Sequence, residues 1–290
     1  MLEFLQYCVS GVAVGSIYAL VALGLVLILK ATDIFNFAQG DMVMLGAYLG
    51  LAGIDLLHLP VLLAAVLAVV VAALLGLGLQ ALVLRPMLGQ PLLTMVMVTI
   101  AISLVIRSVV VVIWGPVERS YPSTLPNHVV DLGGLKVSTI DLSIMAIAVA
   151  CMLVFAIFFK RSRIGLQMRA TAESGEAAAV CGIDEGRIFT LAMIIGVSVA
   201  ALGGILLANL QVVSPGMAEI GLLALPAAIV GGITSISGAV AGGLLIGVLG
   251  QLSTGYLSSD ASDAVVYGVV LLVLLIRPYG LFGQREVVRV

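Results

Sequence analysis

Side chains able to do chemistry are scarce in this 290-residue chain, and their spacing excludes most kinds of it. Lys, Arg, Asp and Glu make up 10% of the residues, and there are two histidines. Nucleotide hydrolysis calls for a phosphate loop of the form G-x-x-x-x-G-K-[ST], whose backbone N–H groups cradle phosphate. Lys30, Lys136 and Lys160 all lack the preceding glycine, so any ATP must be hydrolysed by another chain. Cys8, Cys151 and Cys181 stand at neither metal nor redox spacing and read as small apolar residues. No His/Cys/Asp cluster has ligand spacing, which leaves no metal site, and no nucleophile lies beside a base, so a membrane enzyme finds no support. Asp55, Glu219 and Asp263 fall at the ends of apolar segments, and His58 and His128 fall outside them. That placement weakens an ion-coupled secondary transporter, whose proton relays sit inside spans. It also predicts no charge pair within the spans that could hold both ends of a zwitterion.

Four polar or small-residue features remain. Asn36, Gln39 and Asp41 interrupt the apolar pattern before a short second segment. Such breaks point to a substrate path, because freed backbone groups can meet polar ligands; Asp41 as a simple helix cap is the rival reading. Arg107 lies seven residues before Trp114, where it either snorkels to the headgroups or lines a path. The stretch from Lys160 to Arg187 is the longest polar segment. Within it Ser174 can cap a short helix over Glu176–Cys181 that presents Ala177, Ala178 and Ala179, with Gly182 as the stop. A docking helix and a solvated loop both fit that pattern. Finally, Gly11 and Gly15, Gly46 and Gly50, and Gly243 and Gly247 are each four apart, a spacing that lets helices approach closely within one chain or between subunits.

The elements that carry these features must be membrane helices. With 62% hydrophobic residues and mean hydropathy +1.28, the chain cannot cover a water-facing surface. Uncharged runs cover Phe4–Leu29, Leu59–Leu84, Pro86–Ile106, Leu142–Phe159, Ile188–Ala218 and Ile220–Ser259. About 20 apolar residues span hydrocarbon as a helix, and these runs lack the alternation of a barrel strand. The fold class is therefore all-α, a polytopic bundle of eight or nine spans forming one membrane domain over residues 1–290. The nine-span version places crossings near 4–29, 42–58, 61–84, 92–114, 142–159, 188–210, 221–235, 238–257 and 261–276. The spans near 42–58 and 261–276 are the weak ones. The first run is too long for a signal sequence and is expected to stay. Basic residues favour the cytoplasmic side. Lys160, Arg161, Arg163, Arg169 and Arg187, with Arg277, Arg285 and Arg289, mark the inside, and the proline-containing loop 115–141 is expected outside. Nothing resembles a nucleic-acid groove.

From end to end the chain resembles branched-chain amino acid permeases of the LivH type. The resemblance is carried by Gly11 to Leu20, by Asn36 to Asp41 running into Met44 to Tyr48, and by Gly165 through Arg169 and Glu173 to Gly182 and Ile183. It continues through Gly231, Gly232, Gly238, Gly242 and Gly243 to Arg277–Gly283. Gln39 stands where the family usually has His, Asp41 where Glu is common, and Thr234 and Ser237 where Gly and Pro are usual. The resemblance implies an ABC importer permease fold and a subunit of the bacterial inner membrane. Its implied partners are a second, homologous permease, two cytoplasmic ATPases that bind the ATP and Mg, and an extracytoplasmic solute-binding protein. It implies that Gly165, Arg169, Glu173, Glu176, Ala177, Ala178 and Gly182, in a loop over about 160–187, couple to those ATPases. A same-family permease for urea, an amide or another amino acid is the alternative.

Overall fold

The computed structural model describes residues 2–87, 89–122, 125, 128–132 and 135–283; Arg285 and Arg289 of the expected inside tail lie outside them. The described residues are predominantly helical. In order the helices are α1 (Leu2–Thr32), α2 (Gln39–Asp55), α3 (Val61–Leu79), α4 (Leu92–Trp114), α5 (Thr139–Arg161), α6 (Arg163–Glu173) and α7 (Gly175–Val180). They continue as α8 (Glu185–Ala208), α9 (Met217–Leu222), α10 (Ala224–Gly231), α11 (Ile236–Tyr256) and α12 (Ser259–Ile276). A two-stranded antiparallel hairpin, β1 (Val129–Leu132) with β2 (Leu135–Ser138), lies in the loop expected outside, a small departure from all-α. Among the described residues six helices are long and apolar enough to cross a membrane: α1, α3 with its extension to Met87, α4, α5, α8 and α11. Two of the expected spans differ. The segment expected as 42–58 is α2, which starts earlier, at Gln39, and is 17 residues long. The span expected over 221–235 is not one helix, because α9 ends at Leu222, α10 ends at Gly231, and Gly232 turns the chain at φ +108°.

Packing divides the chain into two compact units. One comprises Leu27–Thr124 and Val149–Leu222. Its centre is α2, buried along nearly its whole length and packed on α3, α4, α8 and α9. The helices meet through small residues. On α3 only Ala64, Ala68, Ala72 and Gly76 are buried, every fourth residue, while Leu62 and Leu74 are 77% and 61% exposed. Lipid is as apolar as leucine, so the large side chains face out and close contact is left to the small ones. Gly46 of α2 abuts Ala201 of α8, and Gly204 of α8 abuts the Val43 carbonyl of α2.

The other unit comprises Met1–Val26, Leu125–Ala148 and Leu223–Val290. Here Gly11, Gly15, Gly243 and Gly247 form a single crossing of α1 on α11, with Gly15 against Leu244 and Gly243 against Ala19. Gly231 meets Gly238, and Gly242 meets Ala227, so α10 and α11 touch backbone to backbone. The segment after α12 closes the end of α10. Leu281 N–H donates to Val230 O at 2.9 Å, Phe282 N–H donates to Gly231 O at 3.0 Å, and Gly280 and Gly283 lie against Gly232. Gly11, Gly15, Gly46, Gly231, Gly232, Gly238, Gly242, Gly243 and Gly247 each lie against backbone of this chain.

Candidate functional site

The α1–α2 connection is built by its own side chains. Thr32 Oγ1 donates to the Ile28 carbonyl and accepts from Ile34 N–H, ending α1. Asn36 Oδ1 then accepts from Ala38 N–H at 3.2 Å, a side-chain turn that launches α2. From α4, Thr99 Oγ1 accepts from Phe37 N–H at 3.4 Å, and its one proton lies between the Val96 carbonyl at 2.8 Å and the Phe35 carbonyl at 3.2 Å. An irregular segment at membrane depth is tolerated when protein groups satisfy its backbone.

Thr99 begins a polar stripe. Thr99, Ser103 and Arg107 stand four apart, on one face of α4. Ser103 Oγ donates to Asp41 Oδ2, and Arg107 Nε meets Asp41 Oδ1 at 3.3 Å. Arg107 Nη1 also reaches Glu219 Oε1 of α9, at 3.5 Å. The arrangement is graded: the Asp41 side chain is fully buried, that of Arg107 is 32% exposed and that of Glu219 is 74% exposed. Two expectations change here. Asp41 does not cap α2, whose N-cap is Ala38 with no side-chain bond, because α2 starts two residues before it. A charge pair does lie within the spans, since the fold brings Asp41 and Arg107 together from positions 66 apart. Gln39 is also buried, its Nε2 donating to Gly196 O of α8 at 3.1 Å. Asn36 Nδ2 and Gln39 Oε1 are buried without a hydrogen-bond partner. The three residues expected on the path thus lie together at the start of α2, joined by Ser103, Arg107 and Glu219. Sequence reading noticed the last two singly and missed Ser103; the spacing T-x-x-x-S-x-x-x-R in an apolar helix was the available signal.

In the loop 115–138, Arg119 donates to the Trp114 carbonyl at 2.8 Å and pairs its backbone with Val213. Burial there pushes the Tyr121 phenol up to about 12.

The polar stretch after α5 is more ordered than a loop with one short helix. Ser162 caps α6, accepting from Gly165 N–H at 2.8 Å, and Ser174 caps α7 through Ala177 N–H at 3.3 Å. Gly182, at φ +81°, stops it as expected. Gly165 is buried against the Phe159 backbone at the end of α5. Arg169 donates to the Phe159 carbonyl, and its guanidinium lies 5.6 Å from the Phe159 ring centre. Glu173, Glu176 and Ala177 are exposed. Ala178 is not: at 4% exposure it faces inward and anchors α7, and the residue that points outward is Val180, 89% exposed. A three-alanine outward face is therefore corrected to Glu176, Ala177, Ala179 and Val180. Successive residues are turned about 100° around the helix axis, so three consecutive alanines cannot share one face.

Residues 7–275 match the family described as branched-chain amino acid transport system / permease component. The chain is 32% identical over 302 residues to the high-affinity branched-chain amino acid transport system permease protein BraD of Pseudomonas aeruginosa, covering 99% of this chain and 98% of that one. It is 33% identical over 303 residues to LivH of Escherichia coli, with 100% and 98% covered. It is 29% identical over 288 residues to a probable LivH of Methanocaldococcus jannaschii, with 93% and 89% covered. Among solved structures, PsaBC from Streptococcus pneumoniae in complex with Fab shares the fold, at TM-score 0.52 and 15% identity, over 96% of this chain and 94% of that one.

Proposed function

This chain belongs to the branched-chain amino acid transport permease family, and from that premise we propose that it forms half of an ATP-driven import path for leucine, isoleucine and valine across the bacterial cytoplasmic membrane. The observation that carries the reading is the match along essentially the full length of permeases named for that transport. The chain is a multi-pass membrane component of an ABC permease family. Its implied partners are a second homologous permease subunit, an extracytoplasmic binding protein, and two cytoplasmic ATPases that bind ATP and Mg. The outward face of α7, with Gly165, Arg169 and Glu173 behind it, is the coupling element that enters an ATPase. Gly165 and Arg169 tie α6 to the last turn of α5, so a displacement of α7 is passed to a spanning helix rather than lost in a hinge. The start of α2, with Asn36, Gln39 and Asp41 buried there, belongs to the translocation path.

The test is reconstitution. Permease pair and ATPases are co-purified, placed in proteoliposomes and supplied with binding protein and labelled leucine. Uptake that needs both ATP and binding protein is expected. Uptake driven by a sodium or proton gradient without ATP would refute the reading, and binding protein selective for a different solute would replace the substrate.

A further inference from the structure

We propose that Arg107 and Glu219 form a transient docking point for a zwitterionic amino acid, the guanidinium taking the carboxylate and Glu219 the ammonium; the inference rests on the substrate class proposed above. The cluster is held firmly at one end and loosely at the other. Asp41 is fully buried, bonded by Ser103 Oγ and 3.3 Å from Arg107 Nε, so it fixes the guanidinium and balances its charge. Glu219 meets Nη1 only at 3.5 Å, the outer limit of such a contact, and its side chain is 74% exposed. Nη2 bonds to neither carboxylate. The planar fork of arginine is suited to a carboxylate held by two parallel N–H groups, and Asp41 uses only one edge of it.

Charge bookkeeping points to the class of ligand. With Asp41 and Arg107 cancelling, the open edge carries the Glu219 negative charge beside unspent guanidinium donors. A simple anion would be repelled by Glu219, and a simple cation would face Arg107. A zwitterion meets both and leaves the net charge unchanged. Ionised groups facing hydrocarbon are expensive, and intramembrane ones turn toward the bundle interior or water; an exposed carboxylate and a part-exposed guanidinium on adjacent helices therefore mark a wet face. Two solvent-facing contacts hold a solute weakly, which a permeation site requires because the solute must also leave.

The experiment uses the complete transporter in proteoliposomes with binding protein, and reads leucine moved per ATP hydrolysed. Glu219→Gln removes the exposed charge and leaves the buried pair intact. Asp41→Asn combined with Arg107→Gln removes the buried carboxylate and its part-exposed partner together, so neither is stranded. We expect the ratio to fall about tenfold or more in the double variant and several-fold in Glu219→Gln, as loss of a charged hydrogen bond implies, with Glu219→Asp restoring most of it. A purely structural pair predicts wild-type behaviour from the double variant once assembled. Ratios within about twofold of wild type for Glu219→Gln would overturn the proposal even if the double variant failed to assemble. A wild-type transporter that moves no amino acid would instead overturn the substrate reading, and this inference with it.

Discussion

Gly204→Ala should loosen the centre of the Leu27–Thr124 and Val149–Leu222 unit, although alanine is the better helix former. A Cβ built at Gly204 runs into the Val43 carbonyl of α2, lies 2.8 Å from its carbon and 3.2 Å from Ala47 N. Carbon atoms rest at about 3.5–4.0 Å, so the α2–α8 crossing must open by roughly 1 Å. The obstacle is backbone, which no rotamer change can clear. Overpacking costs about 1–3 kcal/mol, and an obstacle made of backbone belongs at the upper end; set against about 1 kcal/mol gained by replacing glycine inside a helix, the net expected loss is about 2 kcal/mol. Gly78→Ala on α3 is the control, because nothing lies within 4 Å of its Cβ position and only the gain applies. Detergent-solubilised protein would be unfolded by increasing SDS and followed by the fluorescence of Trp114. It is the chain's one tryptophan, and its ring sits 5.5 Å from that of Tyr48 on α2. Gly204→Ala should unfold at lower SDS than wild type and Gly78→Ala at equal or higher SDS. Equal midpoints for Gly204→Ala and wild type would refute the backbone-contact argument.

Orientation is tested with an impermeant maleimide on intact cells: Val117→Cys, 69% exposed, should react while the exposed native Cys181 does not, and inverted vesicles should show the opposite. At the coupling helix, Val180→Asp should leave the subunit inserted and folded but sharply reduce leucine uptake per ATP, since the side chain is almost fully exposed and touches little of its own chain. Ala178→Trp should instead cost about 1–3 kcal/mol of stability, because that position is buried, and thermal unfolding in detergent separates the two. Arg169→Lys should uncouple partially despite its retained charge, as lysine cannot both cap the Phe159 carbonyl and lie flat on its ring; normal coupling in that variant would remove Arg169 from the lever.

Composition alone dictated the solvent. Long uncharged runs permit only membrane-spanning helices, so the spans represented by α1, α3, α4, α5, α8 and α11 were legible from composition and the distance between charges. Local chemistry was legible too: the Ser174 cap and the Gly182 stop follow from bonds within a few residues. The glycine spacings announced close approach, but not with whom, because a small residue offers room without naming its neighbour. That choice was tertiary, and it set Gly46 on Ala201 and Gly243 on Ala19. The break between α9 and α10 was hidden for a similar reason: an apolar run shows where water is absent, not where backbone bonds stop. Most of all, the polar site was decided by the fold. Asp41 reads as a cap, Arg107 as a snorkelling cation and Glu219 as a span end when each is seen alone. Only helices packed at the distance of one side chain turn three residues scattered over the sequence into a single electrostatic unit.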